Sequence, residues 1–369
     1  MDRRSFLKTS TVGAGAAAAS TLAAPAVAQG RMTWRMVTTW PRNFPGLGTG
    51  AQRLADRITA ATDGMLTVEL YSAGEIVPAL QSVDAVIDGS AEMMHGAAYY
   101  WQNKSVGLSF FTGVPFGMTS REMSAWVRFM GGQELWDELY DQFGLIGFMS
   151  GDTGTQSGGW FQNELSGIED VQGLRFRTPG LGGQVWEKMG ASVTNLAGGE
   201  IFAALQSGAL DAAEFVGPYN DLALGFHQVR KHFYTTSFIE PGLATEFVVD
   251  KAKYMDLPSN MQAIIRDACQ AEYDHTASEF YANDPIALNT LVEEHGVTTY
   301  PQFPDSILEA GANASRELLI EILDTADPIS KRVAENFIQS LNLVRGRTEN
   351  QDMGFLEARD RFFDISDLA

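Results

Sequence analysis

Glu214 sits in Leu210-Asp211-Ala212-Ala213-Glu214-Phe215-Val216-Gly217-Pro218, a strand-like stretch of small and apolar residues. A carboxylate buried in such a place needs a partner or a cation. Glu240 has a similar setting in Phe238-Ile239-Glu240-Pro241-Gly242. For both, the plain alternative is a structural acid satisfied by its neighbours. Arg177 ends Leu174-Arg175-Phe176-Arg177, just ahead of Thr178-Pro179-Gly180-Leu181-Gly182-Gly183. That order places a guanidinium at the carboxyl end of a strand, the edge where open α/β sheets bind ligands. A planar guanidinium can grip a carboxylate through two parallel hydrogen bonds, and the helix start that follows also favours an anion. A surface ion pair is the alternative. Aromatic residues gather at Tyr99-Tyr100-Trp101 and at Gly158-Gly159-Trp160-Phe161, as core or as pocket wall.

Other chemistry is sparse. His95, His227, His232, His275 and His295 show no metal-ligand spacing, and no H-E-x-x-H, G-x-S-x-G or G-x-x-x-x-G-K motif occurs. Gly46-Leu47-Gly48-Thr49-Gly50-Ala51 satisfies G-x-G-x-x-A ahead of a helix, so an exported nicotinamide-dependent oxidoreductase is the competing reading. In dinucleotide folds the first glycine sits tight against the strand end. Here Pro41-Arg42-Asn43-Phe44-Pro45 intervenes, as in a loop over a cleft. A scaffold subunit with an idle cleft is a third possibility, which ligand-induced stabilisation would exclude. Cys269 is the single cysteine, so no internal disulfide forms, and its helical context predicts a small buried residue.

These groups need elements to hold them. The spacing predicts a strand over 33–40, a helix over 51–63, a strand over 66–71, a helix over 78–88 and a strand from about 91. The same order returns with strand 174–177, a helix through Trp186, strand 192–196, helix 200–207 and strand 212–216. Two β-α-β-α-β units mean two open, mostly parallel sheets. Helical periodicity covers 251–294 and 328–344, where Ile329, Val333, Phe337 and Leu341 form one stripe and Pro328 suits a first helical position. The 369 residues have a net charge of −20, which argues against nucleic acid or an anionic lipid surface as partner. Residues 1–28 read as a twin-arginine signal peptide: Arg3 and Arg4 precede Ser5-Phe6-Leu7-Lys8, a weakly apolar Ala-rich stretch and Ala26-Val27-Ala28.

Together these segments resemble the solute receptors of TRAP (tripartite ATP-independent periplasmic) transporters, most of all the TakP-type branch that binds 2-oxo acids with a metal ion. The resemblance rests on Tyr71-Ser72-Ala73-Gly74-Glu75, Ala98-Tyr99-Tyr100-Trp101, Asp152-Thr153-Gly154-Thr155-Gln156, Gly158-Gly159-Trp160-Phe161, Gly173-Leu174-Arg175-Phe176-Arg177 and Glu214-Phe215-Val216-Gly217-Pro218-Tyr219, in that order. It implies an α/β, two-lobed periplasmic binding protein, each lobe an open sheet with flanking helices and a hinged cleft between. Lobe I would be 32–150 plus 240–320, lobe II 151–239, and 321–369 a C-terminal helical extension for dimerisation.

The resemblance also implies roles. Arg177 would hold the carboxylate of a small, pyruvate-like 2-oxo monocarboxylate. Gln156 would touch substrate and metal, Glu214 and Glu240 would supply metal oxygens, and Phe215 would add its carbonyl and line the pocket. Tyr100 would pack near the ligand. The metal would be sodium or calcium, the partners TRAP membrane subunits and a second copy exchanging a C-terminal helix, and no bond would be made or broken. Two departures stand out: Phe215 replaces a Trp of close relatives, and Asp152 replaces an Asn, so an acid is expected near the substrate. Arg177, two glutamates and a monocarboxylate sum to −2; calcium would bring this to zero and sodium to −1, and Asp152 would add weight to a divalent ion.

Overall fold

The computed structural model describes residues 30–365. β1 (Met32–Thr38), α1 (Leu47–Ala61), β2 (Leu66–Tyr71), α2 (Ser82–Ile87) and β3 (Met93–Gly96) form the first β-α-β-α-β unit. Its helix faces follow the expected pattern: Leu54, Ala55 and Ile58 of α1 are buried against the sheet. After α3 (Ser120–Phe129) and α4 (Gly132–Asp141), β4 (Leu145–Asp152) joins the same sheet. The second unit comprises β5 (Gly159–Phe161), β6 (Arg175–Arg177), α5 (Gly180–Lys188), β7 (Ser192–Thr194), α6 (Gly198–Gln206), β8 (Ala212–Ala213), α7 (Pro218–Leu224) and β9 (His232–Tyr234). The chain then returns through β10 (Ala244–Asp250) and α8 (Lys251–Asp256). It closes with α9 (Ser259–Glu293), β11 (Thr298–Tyr300), α10 (Asp305–Thr325), α11 (Pro328–Arg347) and α12 (Gly354–Phe362).

Two sheets result, as expected. The first runs β2-β1-β3-β10-β4, with β1 parallel to β2 and β3, and β10 antiparallel to both its neighbours. The second runs β11-β9-β5-β8-β6-β7. The chain crosses between them from β4 to β5, from β9 to β10 and, through α9, from β10 to β11. The first two crossings hydrogen-bond to each other, Gln156 N donating to Glu240 O at 3.0 Å and Ser237 N to Gln156 O at 3.0 Å. α9, 35 residues long, packs on β4 of the first sheet and on α7 of the second lobe.

The structure differs from expectation in three places. Residues 298–300, expected inside lobe I (240–320), form β11 and pair in parallel with β9 of the second sheet. A three-residue strand with no alternating pattern leaves no periodic signal. The expected helix over 251–294 breaks at Leu257-Pro258, both extended, because the residue before a proline disfavours the helical region. The apolar stripe of α11 covers its own chain: Val333 and Phe337 are buried, and the Phe337 ring lies 5.3 Å from Phe110 and 5.1 Å from Trp126. Asp327 starts that helix by accepting from the backbone N–H of Ile329 and Ser330, with Pro328 at its first position.

Candidate ligand and cation site

Arg177 is the last residue of β6, between β7 and β8, at the carboxyl edge of the second sheet. Elements on three sides leave it fully buried. Its Nε donates to Leu196 O at 3.0 Å and its Nη1 to Glu214 O at 2.6 Å. Nη2 has no hydrogen-bond partner among the described residues, although it is buried. A buried donor of this kind is costly until an acceptor arrives. The guanidinium also lies 5.4 Å from the centre of the Phe215 ring.

Only Ala212 and Ala213 of the expected strand over 212–216 stay in the ladder. Glu214, Phe215 and Val216 leave it and turn toward the crossing, where Ser157 N donates to Val216 O at 2.9 Å. That turn brings Glu214 to Gln156 and Glu240. One terminal atom of the Gln156 amide lies 2.9 Å from Glu214 Oε1 and 2.8 Å from Phe215 O, and also touches Glu240 Oε2; the other lies 2.9 Å from Thr153 Oγ1. Without a cation only the orientation with nitrogen inward satisfies the amide, because an oxygen there would face acceptors alone. With its nitrogen inward it donates to three oxygens. With its oxygen inward, four oxygens converge: Gln156 Oε1, Glu214 Oε1, Glu240 Oε2 and Phe215 O. Glu214 Oε2 and Glu240 Oε1 accept no hydrogen bond, and Glu214 Oε2 stands 3.7 Å from Arg177 Nη1.

Burial pushes the Glu214 carboxyl up to about 7 against the pull of Arg177. It raises Glu240 further, because Glu214 repels it as well. Two buried acids with one guanidinium leave an excess negative charge that protons or a cation must offset. An all-oxygen set suits a hard cation such as calcium or sodium. Among the described residues no three His, Cys, Asp or Glu side chains converge on one point; the donors here are two carboxylates, an amide and a peptide carbonyl.

Tyr100 is buried, with its ring 4.7 Å from Tyr99 and 6.2 Å from Trp40, close enough for its phenol to feel the Arg177 charge. Tyr99 is a residue the sequence left unassigned: it stands close enough to Glu240 to favour that carboxyl's ionised form against the burial that raises it. Its only sequence signal was its place in the Tyr99-Tyr100-Trp101 cluster; the 3-10 turn Ala98–Trp101 decides which ring faces the site. Phe44, 5.9 Å from Phe215 across the cleft, was likewise unassigned.

Asp152 is not brought into this group. Its Oδ1 accepts from Ser120 Oγ and from Gly154 N, each at 2.7 Å. The residue lines a cavity of about 1160 Å³ with Ser120, Arg121 and Tyr273. Asp152 is the last residue of β4, and Gln156 lies beyond it in irregular backbone that re-aims the side chain. Asp152, expected beside the substrate, is held by Ser120 and Gly154 apart from the Gln156 group. The glycines of the G-x-G-x-x-A stretch serve packing: a Cβ on Gly46 would meet the Phe280 ring at 2.6 Å, one on Gly48 would strike Pro41 O, and one on Gly50 would meet Glu272 Oε1 at 3.0 Å. They seat this loop on α9, and the oxidoreductase reading loses its motif.

The fold and this site define a two-lobed receptor whose closed cleft matches a small carboxylate and a cation. Residues 36–324 match the model of DctP, bacterial extracellular solute-binding protein, family 7, and the chain belongs to that family. It is 37% identical over 288 residues, 78% of each chain, to a monocarboxylate 2-oxoacid-binding periplasmic protein of Nostoc sp.. A TRAP periplasmic solute binding protein from Pseudoalteromonas atlantica, solved with bound sodium and pyruvate, superposes with a TM-score of 0.86 at 36% identity, over 89% of this chain and 99% of that one. One from Colwellia psychrerythraea, with bound calcium and pyruvate, gives 0.85 at 35% identity over the same shares.

Proposed function

We propose that this chain is the periplasmic receptor of a TRAP transporter, and that it closes around a small 2-oxo monocarboxylate of the pyruvate class together with one sodium or calcium ion. One observation carries the reading. The Gln156 amide, both glutamate carboxylates and the Phe215 carbonyl converge beside a buried guanidinium whose Nη2 lacks an acceptor, and turning the amide oxygen inward would make them a four-oxygen set for a cation. Arg177 would take the acid's carboxylate, and Phe215 and Tyr100 would wall the pocket. The cation, when bound, supplies the positive charge that lets both glutamates stay ionised and offers a 2-oxo acid an electrophilic partner. With Asp152 engaged elsewhere, the groups and a monocarboxylate sum to −2, which calcium neutralises and sodium leaves at −1.

In the same reading the receptor hands its solute to TRAP membrane subunits and makes or breaks no bond. The twin-arginine signal that would export it lies outside the described residues. A homodimer would form through the C-terminal helix, since Met353, Phe355 and Phe362 there are 61%, 66% and 75% exposed, an apolar display that marks an interface. The test is to unfold and refold the purified protein, then titrate pyruvate and longer 2-oxo acids calorimetrically in calcium, in sodium and in chelator. Tight binding that chelator abolishes and that sodium or calcium restores is expected. Full affinity in a cation-free buffer would overturn the cation's role, and silence across the series would overturn the ligand class.

A further inference from the structure

The ligand groups are sealed. Arg177, Gln156, Glu214 and Glu240 are each no more than 2% exposed, so a solute enters and leaves only when the lobes part. Besides the contacts at the site, one group of contacts between the lobes lies away from it, where three pieces meet: the loop and helix 41–61 of the first lobe, α7 of the second, and the middle of α9.

Arg53 of α1 pairs with Glu272 at 2.8 Å and with Glu279 at 2.7 Å, both on α9. The other oxygen of Glu279 accepts from the Tyr219 hydroxyl of α7 at 3.2 Å. Tyr219 is tied a second time, its backbone N–H donating to Asp284 at 3.0 Å, and its ring stands 5.8 Å from Phe280. Next to it, Asn220 Nδ2 donates to Pro45 O at 2.8 Å, directly from one lobe to the other. Tyr219 follows at once on Glu214–Pro218, the stretch that supplies the ligand groups, so it moves with them.

We infer that Glu279 and Tyr219 form an inter-lobe clasp, in which the Tyr219 hydroxyl holds the second lobe to the Arg53-anchored Glu279 and so sets how long a bound acid is retained. Glu272 keeps Arg53 in place from the other side, so the Tyr219 hydroxyl is the second lobe's contribution to this network. Neither residue of the clasp touches the oxygen cluster or Arg177, so the clasp governs residence time and not the choice of ligand. Both are positioning residues, and the inference rests on the receptor reading above for its solute.

Two variants test it. Tyr219→Phe removes one hydroxyl and keeps the ring on Phe280; Glu279→Gln keeps the shape and removes the charge. A hydrogen bond to a charged group of this kind corresponds to roughly a tenfold effect on an equilibrium. Stopped-flow release of pyruvate in calcium should be about tenfold faster in each variant, with association little changed. The double variant should be no faster than the faster single one, and the order of affinities among 2-oxo acids should stay as in wild type. Release at the wild-type rate in Tyr219→Phe, or a changed ligand order, would overturn the clasp. A spin label on an exposed position of each lobe gives a readout that needs no solute: ligand-free Tyr219→Phe should show a larger share of long inter-lobe distances than wild type, and an unchanged distribution counts against the clasp. Should wild type bind no 2-oxo acid, the solute assignment fails while the label distances still judge the clasp.

Discussion

Glu214 and Glu240 meet across the Gln156 amide with Arg177 as their nearest cation, and that imbalance has a pH signature. An acid whose folded pKa lies above its unfolded value of about 4.3 holds protons more tightly when folded. With Glu214 raised to about 7, and Asp221 and Glu246 to about 8 by burial, folding stability in chelator falls as pH rises from about 4.5 through 7 to 8, then levels off. A cation favours the ionised glutamates of the site and offsets their share of that fall. The melting-temperature gain from calcium should therefore be small near pH 5 and large near pH 8; a gain independent of pH would show that the glutamates are not its ligands. Arg177 is better probed by Arg177→Lys than by Arg177→Ala. The alanine variant leaves buried acids uncompensated, at about 3–5 kcal/mol, whereas lysine keeps the charge and loses the planar fork. Calorimetry should show acid affinity reduced at least about tenfold with the melting temperature near wild type; undiminished affinity would sink the carboxylate role.

At the scale of elements, the glycines that start α5 decide how closely the lobes approach. Gly180 has φ 64, and a Cβ there would press on the Tyr99 ring of the first lobe, while one on Gly182 would strike Ile239 of the crossing. Gly180→Ala should therefore cost about 1 kcal/mol from the left-handed backbone and obstruct closure besides. Its acid affinity should fall well below wild type with an unchanged circular dichroism spectrum; wild-type affinity would refute that closure contact. Element types were legible because their periods were: α1 and α11 show their buried stripes at helical spacing, and β2 ends where expected. Element ends were less so. The strand-like pattern of 212–216 gives no sign that the ladder ends at Ala213, where Gly159 packs so closely that a Cβ on it would strike the Ala213 carbonyl.

At the scale of the whole molecule, the C-terminal region divides its tasks. α11 covers the first lobe of its own chain, while apolar residues of α12 stay exposed, and the proposed dimer would use them. Ending the chain at Arg347 should convert a dimer into a monomer by light scattering while leaving 2-oxo acid affinity within about twofold, because the ligand groups lie in residues 156–240 and additivity holds for distant sites. A truncated protein that remains dimeric would move the interface elsewhere. The buried Cys269 thiol, raised well above its usual range by burial, should contribute nothing to association.

The sequence by itself determined the two β-α-β-α-β units, the helical face of each long helix and the odd chemistry of Arg177, Glu214 and Glu240, since each of these is a matter of a few neighbouring residues and their period. Only the tertiary structure decided which of them meet. Asp152 and Gln156 stand four positions apart, yet Gln156 meets Glu214 and Glu240 while Asp152 accepts from Ser120 and Gly154. Tyr99 faces Glu240, Tyr219 reaches Glu279, and residues 298–300 cross to the second sheet. The reason is physical: such pairings are set by loop closure and packing between segments far apart in the chain, and nothing in the local pattern of either segment records its distant partner.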